Sequence, residues 1–186
     1  MERQLWEHCS IGRVEEVRKL LQNPSINTNW QDAKYWTTPF FIACYYGQTE
    51  VVKLLLNDER VDVNKTRNDG WTPFIIACWN GHVEIVKLLV NNSRVDPSHV
   101  NRPTGHQQTP FLLACQKGHN EIVKYLLACG REIDLDKIDN DGKTALGWAR
   151  QFNNVYLVQL IESFQRDQNE TRARLRKELE LQSGKF

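Results

Sequence analysis

Apolar and polar positions along this chain recur as a block rather than as one continuous period. Thr38-Pro39-Phe40-Phe41-Ile42-Ala43-Cys44, Thr72-Pro73-Phe74-Ile75-Ile76-Ala77-Cys78 and Thr109-Pro110-Phe111-Leu112-Leu113-Ala114-Cys115 are three copies of T-P-F-x-[IL]-A-C, their threonines 34 and 37 residues apart. A glycine follows each copy, at Gly47, Gly81 and Gly118. Apolar-periodic stretches come next: Val51-Val52-Lys53-Leu54-Leu55-Leu56, Ile85-Val86-Lys87-Leu88-Leu89-Val90 and Ile122-Val123-Lys124-Tyr125-Leu126-Leu127. The pattern predicts two short helices per repeat.

Local chemistry sets the ends of the first helix. Threonine accepts an N-terminal amide as N-cap, proline at the first helical position gives up an amide that had no partner, and glycine ends the helix in a left-handed conformation. Asn68-Asp69-Gly70 and Asn140-Asp141-Gly142 supply turn residues that tolerate positive φ, flanked by short extended segments, as at a hairpin tip. Each repeat is expected to run helix, turn, helix, finger.

This arrangement resembles the ankyrin repeat family, whose T-P-L-H-x-A signature at a period of about 33 residues is matched here by T-P-F-x-x-A. The resemblance covers about residues 4–164. It implies an all-α repeat solenoid of ankyrin-type helix-turn-helix units with β-hairpin-like fingers. Carrying the register back from Gly47 reaches Gly12, so Leu5 to Leu21 forms a degenerate first repeat. Carrying it forward from Thr109 reaches Thr144-Ala145-Leu146-Gly147-Trp148-Ala149, with Ala145 in place of proline. Five repeats are expected, over about 1–34, 35–68, 69–105, 106–140 and 141–164, followed by a charged C-terminal helical tail or cap over 165–186. Polar residues such as Glu7, His8 and Arg150 suit terminal repeats, which have one face turned to water. The family's histidine is replaced by Phe41, Ile75 and Leu112, so its hydrogen bonds to neighbouring fingers are expected to give way to apolar packing.

Composition narrows the function. With 24 basic and 23 acidic residues the formal charge is +1, and no block of one sign offers a counterion-releasing surface, which argues against nucleic acid. No apolar run approaches the roughly 20 residues that cross a bilayer, and MERQLWEHCS has no signal-like apolar stretch, so no membrane association is expected. Five cysteines, an odd number, fit a reducing compartment, cytoplasmic or nuclear.

Cys9, Cys44, Cys78 and Cys115 recur once per repeat, but residues on successive repeats lie about 8–10 Å apart, while a disulfide needs Cα atoms within about 7 Å and zinc needs sulfurs near 2.3 Å. They read as small core residues which, with Ala43, Ala77 and Ala114, let the inner helices pack closely and bend the stack. His82 and His119 follow turn glycines and read as structural caps. His99 and His106 fall in the longest finger, Val95 to Gln108, and read as loop residues. Glu50/Lys53, Glu84/Lys87 and Glu121/Lys124 repeat one i,i+3 pair and mark a solvated face. No Gly-rich phosphate loop, G-x-S-x-G elbow or paired-carboxylate motif occurs, so no catalytic residue, metal or cofactor is expected. The tail carries Leu175, Leu179 and Phe186 on one weakly apolar stripe; it is expected to cap the stack, with a partner-binding helix as the alternative.

The resemblance implies a monomeric, non-catalytic protein-protein interaction module. The alternative is the regulatory or targeting segment of a larger enzyme or effector. In the family register two exposed inner-helix positions precede the turn glycine and one precedes Thr-Pro. These hold Tyr45 and Tyr46, Trp79 and Asn80, Gln116 and Lys117, with Thr37, Trp71, Gln108 and Lys143 at the finger position. Tyr35 and Trp36 lie on the first finger beside them. A concave surface is expected, aromatic in repeats two and three and polar at Gln108, Gln116, Lys117 and Lys143. The rings either anchor a protein partner or pack on neighbouring fingers. Finally, Leu56 through Asp62-Val63-Asn64 resembles the sequence seen by asparaginyl hydroxylases that act on ankyrin repeats, which makes Asn64 a candidate modification site beside a structural role.

Overall fold

Four threonines start helices in the same way. The Oγ1 of Thr38, Thr72, Thr109 and Thr144 accepts the amide of Phe41, Ile75, Leu112 and Gly147 at 3.0, 3.0, 3.2 and 3.1 Å. In the first three the next residue is proline, whose fixed φ suits the first turn. A computed structural model describes residues 1–183, with side chains for all of these except Pro97 and 180–183. Phe186, expected on the tail stripe, lies outside the described residues.

The chain is an all-α repeat fold divided into two compact units, Met1–His99 and Val100 onward. The first unit contains α1 (Glu2–Ile11), α2 (Val14–Leu21), α3 (Pro39–Tyr45), α4 (Thr49–Leu56), α5 (Pro73–Asn80) and α6 (Val83–Asn91). Here α1, α3 and α5 pack in succession as inner helices, and α2, α4 and α6 follow one another as outer helices. The second contains α7 (Pro110–Lys117), α8 (Asn120–Ala128), α9 (Ala145–Gln151), α10 (Val155–Arg166) and α11 (Gln168–Ser183). There α7 packs on α9, and α11 lies against the outer helices α8 and α10.

Among the described residues no strand forms. A backbone bond spans the base of each finger, Asp32 to Thr37 at 3.2 Å, Arg67 to Trp71 at 2.8 Å, Thr104 to Gln108 at 3.0 Å and Asp139 to Lys143 at 3.1 Å, the first residue donating its amide and accepting in turn from the residue at the turn. The hairpin stops there because the residue after each pair is already the N-cap of an inner helix.

The core is built from the repeated block. Phe40, Phe74 and Phe111, with Cys44, Cys78 and Cys115 beneath them, are all buried. Burying each phenylalanine contributes on the order of 1.5–3 kcal/mol. Two polar ladders join the repeats. Arg60 closes the C-terminal end of α2 by donating to the carbonyls of Leu21 at 2.7 Å and Asn23 at 3.0 Å, and Arg94 closes α4 through Leu56 at 2.9 Å and Asp58 at 3.2 Å. The amides of Asn29 and Asn64 each bridge to the next repeat. Asn64 donates to the Arg94 carbonyl at 2.8 Å and accepts from the Asp96 amide at 3.1 Å, so both ends of this modification candidate are engaged.

Two expectations change in detail. Glu50/Lys53 and Glu84/Lys87 stand on open surface at 2.7 and 2.9 Å, but Lys124 is buried, with Glu178 of α11 at 3.5 Å and Glu121 at 3.6 Å. The tail helix covers the third copy of a pattern that is solvated in the first two. His99 is not a loop residue. It sits buried in a 3-10 helix, Pro97–Val100.

Candidate partner-binding surface

Four of the rings singled out in the sequence meet as two pairs in the first unit. Tyr45 and Tyr46, the last residues before Gly47, are both exposed and meet edge to face at 4.9 Å. Trp79 holds the Tyr45 position one repeat later and meets Trp71 of the second finger at 5.6 Å and 89°. Their helices, α3 and α5, pack directly against each other. On the first finger Tyr35 and Trp36 are 51% and 52% exposed, the largest aromatic side chains on this unit left so open apart from Tyr46.

Finger chemistry holds these rings in place. The Asp32 carboxylate accepts from the amides of Lys34 at 3.1 Å, Tyr35 at 2.8 Å and Thr37 at 2.8 Å, and from the Thr37 hydroxyl at 2.6 Å. Partial burial pushes its pKa up, but the bonds from Thr37, Tyr35 and Lys34 outweigh that and hold it below the usual carboxylate range. Thr37 is therefore buried inside the finger. In the second finger Asp69 pairs with Arg67, whose guanidinium lies 5.4 Å from the Trp71 ring and 5.7 Å from Phe41. Phe41 is thus covered by the next finger, the apolar packing expected in place of the family's histidine.

Trp36 has φ of 57°, the left-handed region. The same turn position holds Gly70 at 85° in the second finger, Gln107 at 60° in the third and Gly142 at 70° in the last. A bulky residue there costs on the order of 1–2 kcal/mol relative to its preferred backbone.

The histidine after the turn glycine caps, but not its own helix. His82 Nε2 lies 2.9 Å from the carbonyl of Tyr45, which also accepts from Asn80 Nδ2 at 2.8 Å, so this ring closes the preceding inner helix. Gln48 does the same for Ser10 at 3.0 Å. A Cβ on Gly47 would meet the His82 ring at 2.6 Å, a close approach that adds to the demand of its φ of 73°. Asn80 therefore presents only part of its amide outward.

In the second unit the register positions are polar and less open. Gln108 and Lys143 are half-buried at the finger bases, and Lys117 is exposed. Gln116 is half-buried, and its Oε1 is buried without a hydrogen-bond partner among the described residues. Asp139 organises the last finger, accepting from Asp141 at 3.0 Å, Lys143 at 3.1 Å and the Trp148 indole at 2.8 Å.

Two rings escaped the sequence reading. Phe152, 55% exposed, stacks on Trp148 at 5.7 Å, with the Lys143 ammonium 4.3 Å over Trp148. Trp6 donates its indole N–H to Thr37 at 3.0 Å, so one bond from the histidine register to a finger does exist. Both follow from the register once it is carried into the terminal repeats: Trp6 precedes Gly12 as Phe41 precedes Gly47, and Phe152 precedes Asn153, whose φ of 53° does the work of a glycine.

All five cysteines are free thiols. Burial pushes the thiols of Cys9, Cys44, Cys78 and Cys115 far above their ordinary range. Among the described residues no group of three or more His, Cys, Asp or Glu could hold a metal ion, and no helix is long and apolar enough to cross a membrane.

No curated protein matches the chain. A family profile described as ankyrin repeats (3 copies) matches residues 5–101 and again 94–171. With the repeated Thr-capped inner helices and turn glycines, that match places the chain in the ankyrin repeat family, whose members are generally non-catalytic protein-protein interaction modules.

Proposed function

We propose that this chain is a non-catalytic interaction module whose repeats, over 1–164, bind a protein partner through inner-helix and finger residues. Tyr35, Trp36, Tyr45, Tyr46, Trp71, Trp79 and Asn80 form the anchoring surface of the first unit. Gln108, Gln116, Lys117 and Lys143 hold the corresponding register positions in the second.

The observation that carries this reading is Trp36. A half-exposed tryptophan at a left-handed turn position, where two sister fingers use glycine and the third a polar Gln107, loses backbone energy without gaining burial. Such strain persists where a side chain serves something other than the fold. Exposed Trp and Tyr are favoured interface anchors, because they bring large rigid area at little entropic loss.

The test is Trp36→Gly, measured for both melting temperature and recovery of the partner from the native cell. Relief of the strained φ, on the order of 1–2 kcal/mol, exceeds or equals the roughly 0.5–1 kcal/mol of added unfolded-state entropy. The melting temperature should therefore hold or rise while recovery of the partner falls. Undiminished recovery with a stable fold would show that the partner sits elsewhere.

A further inference from the structure

The aromatic surface of the first unit carries indole donors that the fold leaves unengaged. The indole N–H groups of Trp36 and Trp71 and the hydroxyls of Tyr45 and Tyr46 have no acceptor among the described residues. Most neighbouring acceptors are engaged, the Asp32 carboxylate by the finger amides, Asp69 by Arg67, the Tyr45 carbonyl by Asn80 and His82, and the Trp36 carbonyl by Gln31 at 2.7 Å, which leaves the Asn80 Oδ1 open. The surface offers aromatic faces and two indole N–H groups that can only donate, so a complementary guest brings apolar groups and unpaired acceptors.

Three guests can be compared. A helix binds its own carbonyls internally, so its backbone leaves the free donors unmatched. A cationic guest is disfavoured, because Arg67 already lies over the Trp71 ring at 5.4 Å and Lys34 over the Tyr35 ring at 4.6 Å. A polyproline II segment has no internal hydrogen bonds, leaves every carbonyl free, lacks an N–H at each proline and lays flat apolar rings on aromatic faces.

Spacing supplies an independent argument. Tyr45 and Trp79 occupy equivalent positions on α3 and α5, which pack side by side. Packed helices stand about 8–10 Å apart. One turn of polyproline II is three residues at about 3.1 Å each, or roughly 9 Å. Every third residue of such a segment therefore falls on the same position of successive repeats. We propose that the aromatic surface of the first unit binds a Pro-rich segment of its protein partner in polyproline II conformation, with anchors spaced by three. This rests on the reading of that surface as the partner site.

The experiment selects from random displayed peptides of about 12 residues, four polyproline turns, on the full chain, with a parallel selection on the double variant Trp36→Gly, Tyr46→Ser. Both changed side chains are more than half exposed, and circular dichroism verifies that the variant folds. Expected are sequences with two or more prolines at a spacing of three, whose synthetic peptides bind the variant at least tenfold more weakly than the parent. Sequences lacking that spacing, acidic or helix-patterned, that are still lost in the variant overturn the polyproline proposal and leave the surface standing as a binding site. Peptides that bind parent and variant alike, or no enrichment at all, overturn both.

Discussion

The guanidinium of Arg176 donates from Nε to the carbonyl of Ala128 at 2.8 Å, the last residue of α8. Arg172 reaches the preceding carbonyl, Leu127, at 3.2 Å. In the first unit the same task at the ends of α2 and α4 falls to Arg60 and Arg94, each from the following repeat. The tail helix thus supplies to α8 the closure that a finger arginine supplies to its sister helices. Among its described side chains, Leu175 and Leu179 are the well-buried apolar ones.

Arg176→Ala should therefore loosen the tail more than loss of an exposed charge would. A hydrogen bond from a charged donor is worth about 1.5–3 kcal/mol, and a cation at a helix C-terminus adds a few tenths more. Partial exposure of Arg176 brings the expected loss to the lower end, on the order of 1 kcal/mol. Urea unfolding measures it, and hydrogen exchange should rise first in α8, α10 and α11. An unchanged exchange pattern there would show that the Arg176 bond does not hold the helix.

Asn64→Ala removes a side chain whose amide joins two repeats. The Arg94 carbonyl and the Asp96 amide would both lose their partner. An unsatisfied, partly buried backbone group costs about 1–3 kcal/mol. Asn64→Asp should fare little better, because a carboxylate still accepts from Asp96 but repels the Arg94 carbonyl. Thermal unfolding of the two variants against the parent decides this, and near-parent stability in the aspartate variant would mean the donor half of the amide is dispensable.

How far the sequence exposes this structure follows from which signals are local. The Thr-Pro starts, the turn glycines and the burial of Phe40, Phe74 and Phe111 are written in motifs that determine their own backbone, and they are where the pattern puts them. The aromatic residues of repeats two and three were legible because the register names the positions that face outward. What the motif does not carry was missed. Phe152 and Trp6 sit in terminal repeats whose glycine or Thr-Pro is absent. Lys124 looked solvated because its i,i+3 pair is identical to two exposed ones, and nothing near it in sequence announces a helix that returns from Gln168 onward. His82 was legible as a cap, but its target is the Tyr45 carbonyl, 37 residues earlier.

Cys78→Leu tests the inner-helix packing. Cys78 has no exposed surface, and Ala77 beside it has none either. Adding two carbons' worth of branched side chain to a filled core costs typically about 1–3 kcal/mol. In a repeat protein the strain is borne by nearest neighbours, so exchange should rise in α3 and α5 before α1. A uniform rise across the first unit would contradict that.

Stability should fall on both sides of neutral pH, for different reasons. On the acid side Asp32 and Asp139 have depressed pKa values. Burial opposes the depression in both, but for Asp32 the bonds from Thr37, Tyr35 and Lys34 win, and for Asp139 those from Lys143, Trp148 and Asp141. A carboxyl whose folded pKa lies below its unfolded one stabilises the fold above the ordinary value, about 3.9, and loses that contribution as pH falls through the folded value. On the alkaline side the four buried thiols are raised, burial being the first cause in each. The unfolded chain releases their protons above about pH 8.5 while the folded chain keeps them, so their stabilisation is complete below that pH and is lost as pH rises beyond it. Melting temperatures between pH 3 and 10 should trace a plateau with two falling limbs, and Cys115→Ala should make the alkaline limb shallower without moving the acid one. An alkaline limb of the same slope in that variant would assign the loss to groups other than the thiols.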